Sequence, residues 1–142
     1  MFPTVSGGML PRMESRHVSR VIAASPEEVY DFAADPAHLP RWAAGLAQAE
    51  DIEVQGDVLR MQSPMGEVSV RFVPRNDLGV LDHDVTLPNG VVVTNPLRVF
   101  AHPDGAEILM TVRQLDLSDE DFERDCRQVE ADLATLAGLL EG

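Results

Sequence analysis

Near the C-terminus, Phe122, Cys126, Val129, Leu133, Leu136 and Leu140 recur at steps of three and four residues. This spacing puts all six on one stripe of an α-helix of about 22 residues, roughly 33 Å long. Ser118 followed three residues on by Asp121 supplies a weaker form of the capping box at its start. Glu123, Arg124, Arg127, Gln128 and Asp132 are assigned to the opposite, solvated face. Helical propensity alone holds such a segment only marginally in water, so the stripe must be covered. The chain has 142 residues, enough for one domain with one core, and the cover must come from the residues upstream.

Those residues read as strands. Periodicity predicts Ala49–Val54, Val58–Ser63, Glu67–Pro74, Val80–Leu87, Val91–Ala101 and Glu107–Leu115, after a first strand at Ser15–Ala24. Gln55-Gly56-Asp57, Pro64-Met65-Gly66, Asn89-Gly90 and Asp104-Gly105 carry the turn chemistry between them. Such short connections imply antiparallel pairing, because parallel crossovers need about a dozen residues or more. Alternation then gives one apolar and one wet face. Leu59, Met61, Val68, Val70, Phe72, Leu81, Val85, Ile108 and Met110 form the face available to the helix. Asn95-Pro96 interrupts the strand at 91–101; proline donates no ladder hydrogen bond, so a bulge or an edge is expected there.

Upstream of the strands, residues 1–14 read as a flexible tail, broken by Pro3, Gly7, Gly8 and Pro11, and Met13 is a candidate natural start. Residues 15–142 are expected to form a single domain. After the first strand, Ser25 as N-cap, Pro26 in the first turn and Glu28 as the capping-box partner mark a short helix. Val29, Phe32 and Ala33 share its apolar face, and Asp35-Pro36 ends it. A second short helix is predicted over Leu39–Leu46, including Trp42.

The apolar sheet face has one polar intruder. His83 shares a phase with Leu81, Val85 and Leu87, whereas Asp82 and Asp84 alternate away from it. A histidine there is either a core residue satisfied by a carbonyl or buried water, or a polar handle inside a ligand pocket. Arg98 is either a solvated surface cation or a charge at the pocket mouth. Trp42 is core or lid, and Met61, Met65 and Met110 are core or a soft lining. Cys126, the single cysteine, sits on the buried stripe and reads as a small core hydrophobe. Asp82, His83 and Asp84 point alternately to opposite faces and do not converge on a metal. No metal site and no cofactor are expected; phosphate loops and zinc spacings do not occur.

Charge narrows the partners. Eleven basic residues against 24 acidic ones give a net charge of −13, which repels nucleic acid and anionic membranes. No apolar run approaches the roughly 18 residues of a membrane span, and the N-terminus lacks the pattern of a signal peptide, so a cytoplasmic protein without membrane insertion is expected.

The stretch Ser25-Pro26-Glu27-Glu28-Val29-Tyr30-Asp31-Phe32, then Asp35-Pro36 and Leu39-Pro40-Arg41-Trp42, resembles the opening of the START-like, helix-grip superfamily (SRPBCC), in particular its polyketide cyclase/dehydrase-like branch. Gly79-Val80-Leu81-Asp82-His83 and Asp132-Leu133-Ala134-Thr135-Leu136 extend the likeness over about residues 15–141. The resemblance implies an α+β fold: a seven-stranded antiparallel sheet gripping the C-terminal helix, with two short helices after the first strand. It also implies a cavity for lipids, polyketides or similar compounds, and it brings no shared catalytic residue set. Two functions follow as expectations. One is binding of a small hydrophobic or aromatic molecule, with Trp42, Met61, Phe72, His83, Arg98 and Met110 as candidate ligand-binding residues. The other is a cyclase- or dehydratase-like enzyme in which His83 acts as general acid/base. A protein-interaction role and a homodimer are further possibilities.

Overall fold

The computed structural model describes residues 13–43, 50–63 and 66–141. The expected tail up to residue 12, the end of the second predicted helix and Met65 lie outside these residues. The chain opens with β1 (Ser15–Ile22) and passes into α1 (Pro26–Ala34). Ser25 Oγ accepts the Glu28 backbone N–H at 3.1 Å, so the cap forms where the Ser-Pro-x-Glu pattern put it. Asp35 ends α1, and its side chain caps a single 3₁₀ turn at Pro36–His38 by accepting the Ala37 N–H. The turn leads into α2 (Leu39–Trp42), shorter than predicted because its described course ends with Ala43 in an extended conformation.

Five strands in meander order follow, then two that join β1: β2 (Glu50–Gln55), β3 (Val58–Ser63), β4 (Gly66–Phe72), β5 (His83–Thr86), β6 (Val92–Asn95), β7 (Leu97–His102) and β8 (Gly105–Arg113), before α3 (Asp119–Glu141). The strands form two antiparallel sheets, ordered β1-β8-β7 and β2-β3-β4-β5-β6. There are thus eight strands where seven were expected, and Pro96 is the reason. Lacking an N–H, it divides the predicted 91–101 strand into β6, which pairs with β5, and β7, which pairs with β8. Its carbonyl still accepts the Thr111 N–H at 3.0 Å, which keeps the two sheets continuous at the break.

The predicted 80–87 strand divides in the same place for the complementary reason. Val80 bridges to Arg98 on β7, whereas His83–Thr86 pairs with β4 and β6. At the corner between these pairings, Asp82 Oδ1 accepts the Leu97 N–H at 2.9 Å. Gly79 makes the approach possible. It has φ +75, its carbonyl accepts the Val99 N–H, and a Cβ on it would lie 2.2 Å from the Val99 carbonyl oxygen.

The two sheets curve around α3. Phe122, Cys126, Leu133, Leu136 and Ala137 of the helix are buried against Val18 and Ile22 of β1, Leu59 and Met61 of β3, and Ile108 of β8, within one core cluster. Ser118 Oγ accepts the Asp121 N–H at 3.1 Å, confirming the helix start. Arg16 on β1 donates to Glu123 from both terminal guanidinium nitrogens, at 2.8 and 2.5 Å, over the Phe122 ring. Among the described residues no helix is long and apolar enough to cross a membrane.

Candidate functional site

The helix and sheet do not meet everywhere. Between the middle of α3 and the concave faces of β4, β5 and β8 lies a cavity of about 240 Å³. Val68 and Val70 of β4, His83 and Val85 of β5 and Met110 of β8 form its floor, because strand alternation turns these positions toward the helix. Leu39, Trp42 and Ala43 close one end, and Gln128, Val129, Asp132 and Leu133 of α3 form the roof. An adjoining hollow of about 320 Å³ shares Val85, Met110, Gln128 and Val129, so the Met110 side chain lies at the partition between the two. Asp125 and Arg113 line that second hollow; partial burial and the nearby Asp121 charge push the Asp125 carboxyl up.

A wider cleft of about 410 Å³ lies between α1 and the 75–79 loop. Several of its polar groups are paired within it: Arg75 pairs with Asp31, and Tyr30 Oη accepts the Asn76 N–H. It reads as loop packing.

His83 is the buried polar group of the inner cavity. Its Nδ1 lies 3.0 Å from the Leu81 carbonyl oxygen and its ring centroid 5.1 Å from that of Phe72. A carbonyl only accepts, so Nδ1 carries the proton and donates. In the neutral ring Nε2 is then the free lone pair. Burial holds the imidazole below the usual histidine range, outweighing the backbone hydrogen bond and the Asp82 and Asp84 charges that oppose it. Trp42 is the second. Its indole Nε1–H is buried and finds no acceptor among the described residues, an uncommon state for a buried donor.

The candidates from the sequence are thus sorted by place. Trp42, His83 and Met110 line the cavity. Phe72 packs at a tilt of 54° against His83 and supports its ring without lining the cavity. Met61 is sealed in the core at 2% exposure. Arg98 corrects the pocket-mouth alternative: it lies on the outer face, where its Nε and a terminal nitrogen grip Asp82 at 3.1 and 2.8 Å. The Arg98 guanidinium holds the Asp82 carboxyl below the usual carboxylate range. Asp84 also faces outward, accepting the Thr94 hydroxyl, so neither aspartate meets His83. Cys126 is fully buried in the core, and burial pushes its thiol up.

Gln128 is exposed and Asp132 half-buried, as their assignment to the solvated helix face expects, yet both also line the rim of the cavity, with Gln128 Nε2 donating to Asp132 Oδ1 at 2.9 Å. Each directly precedes a stripe residue, Val129 or Leu133, and so sits on the shoulder of the stripe. The apolar stripe of a core-facing helix is about 100° wide, and that width was the available signal.

The comparisons agree with the fold. The family model for polyketide cyclase/dehydrase and lipid transport matches residues 13–137. No curated protein matches the sequence. Among solved structures, protein CV1439 from Chromobacterium violaceum superposes with a TM-score of 0.67 at 16% identity, over 90% of this chain and 98% of that one. Ara h 8.0201 gives 0.65 at 13% identity, over 91% of this chain and 98% of that one. DynU16, a protein of the dynemicin biosynthetic locus, gives 0.66 at 13% identity, over 89% of this chain and 47% of that one.

Proposed function

Because the chain belongs to the polyketide cyclase/dehydrase and lipid transport family, we propose that the cavity between sheet and α3 binds a small hydrophobic or aromatic molecule. The observation that carries this is the cavity itself: about 240 Å³ of space bounded mainly by Leu39, Trp42, Val68, Val70, Met110 and Leu133. Protein interiors are close-packed, so a space of this size between a helix and the sheet it packs on is a departure from the rule. An engineered apolar cavity of roughly 150 Å³ holds one benzene. By that measure this one holds about one to two fused rings, and a longer ligand would extend past Met110 into the second hollow. Trp42 is the single tryptophan and lines the site, so its fluorescence reports occupancy directly. Titration with naphthalene derivatives should change Trp42 emission saturably and raise Tm. A panel of one- and two-ring compounds that leaves both unchanged would refute the reading.

A second reading rests on the His83 tautomer. With Nδ1–H held by Leu81, Nε2 of a neutral, buried imidazole is suited to accept a proton from a bound ketone, a base rather than an acid. Hydrogen–deuterium exchange at the α-carbon of tetralone, followed by NMR, tests it. Exchange above the buffer rate that is lost in His83→Gln supports catalysis; exchange at the buffer rate excludes it.

A further inference from the structure

Among the described residues, the cavity offers an incoming molecule no positive charge. The chain contains no lysine, and its 11 basic side chains are all arginine. Among the described residues none of these lines the cavity. Arg16, Arg75, Arg98 and Arg124 are engaged with Glu123, Asp31, Asp82 and Asp121, and Arg41 lies over the Phe32 ring. Among the described residues, Asp132 on the α3 roof is the one acidic or basic side chain in the lining besides His83. His83 stays neutral, because burial disfavours its protonation. The protein as a whole carries −13.

A carboxylate entering such a space loses its hydration and gains no cation, and it meets Asp132 as a like charge. The hydrogen-bonding groups instead suit a neutral oxygen. The buried Trp42 N–H lacks an acceptor among the described residues, and the neutral His83 ring keeps an acceptor nitrogen. A hydroxyl can serve both kinds of partner, and a carbonyl can serve the first.

We infer that the cavity discriminates by charge: it takes an uncharged apolar molecule bearing a hydroxyl or carbonyl oxygen, tolerates an amine, and rejects the carboxylate of the same carbon skeleton. This rests on the cavity being a ligand site, as proposed above. It sets the ligand apart from free fatty acids and other apolar acids, whose carboxylate is commonly met by an arginine or lysine.

Three probes of one skeleton test it: naphthalenemethanol, naphthalenemethylamine and naphthoic acid, titrated against Trp42 fluorescence at neutral pH. The alcohol should bind tightest and the carboxylate about tenfold or more weakly, as expected when a charge is buried without a partner. The amine should fall between them. It loses hydration as the carboxylate does but has Asp132 to meet, so the gap between amine and carboxylate isolates the sign of the charge from the cost of burying one. Asp132→Asn should narrow that gap. Carboxylate binding equal to that of the alcohol or the amine overturns the inference and leaves the cavity reading standing, as does an unchanged gap in Asp132→Asn. If none of the three binds, both fall.

Discussion

Replacing Leu133 with alanine tests the cavity and the core at once, provided Leu136→Ala is made beside it. Both leucines lie on the buried stripe of α3, at 1% and 0% exposure, but Leu133 lines the cavity and Leu136 does not. Truncation of a buried leucine to alanine costs about 2–5 kcal/mol; taking about 3 kcal/mol for each, Tm falls by roughly 10 °C in a domain of this size. The two variants are therefore matched in stability, and they differ in where the vacated space goes. At Leu136 it is a new void enclosed by core side chains. At Leu133 it joins the existing 240 Å³. A ligand present at a hundredfold excess over its Kd returns about 2.7 kcal/mol, or roughly 8 °C. Thermal denaturation followed by circular dichroism should show naphthalenemethanol stabilising the unsubstituted chain and both variants. The tricyclic anthracenemethanol should stabilise Leu133→Ala more than the unsubstituted chain, and Leu136→Ala no more than it. Equal responses to the tricyclic compound in all three proteins would refute the placement of the ligand against α3.

Three further outcomes follow from single contacts. The neutral state of buried His83 makes stability pH-dependent: its folded pKa is lowered, so its contribution is complete above about pH 6.5 and declines as pH falls toward the folded value. His83→Phe should flatten the urea midpoint between about pH 7 and about pH 5, a window well above the one in which Asp82, held low by Arg98, loses its contribution. Gly79→Ala should destabilise far more than Gly90→Ala, as read by Tm. Both glycines have positive φ, which costs about 1 kcal/mol for a side chain, but only at Gly79 would the Cβ strike backbone, the Val99 carbonyl. Arg98→Gln should leave naphthalenemethanol affinity within about twofold, since this guanidinium grips Asp82 on the outer face; a larger loss in the Trp42 titration would return Arg98 to the pocket mouth.

What local pattern could and could not reveal divides along one physical line. Capping chemistry, turn residues and the two periodicities are set within a few residues, and they placed the Ser25 cap, the Ser118 cap, the Asn89-Gly90 turn and the buried stripe where the structure has them. Alternation also put His83 on the inner face correctly, since that depends only on its strand neighbours. Pro96 signalled an interruption, but not that β6 and β7 would continue in different sheets, because that outcome depends on β5 and β8, the strands on which the two halves pair. The same limit governs the site. Whether a stripe residue meets packed side chains or open space depends on how far the sheet curves away from the helix beneath it. Leu133 and Leu136 are indistinguishable by spacing, yet one lines the cavity and the other does not. Gln128 and Asp132 look solvated by composition, yet at the shoulder of the stripe they reach the same space. The sign of the cavity's charge is therefore a property of the assembled fold, carried by an aspartate that periodicity alone assigns to water.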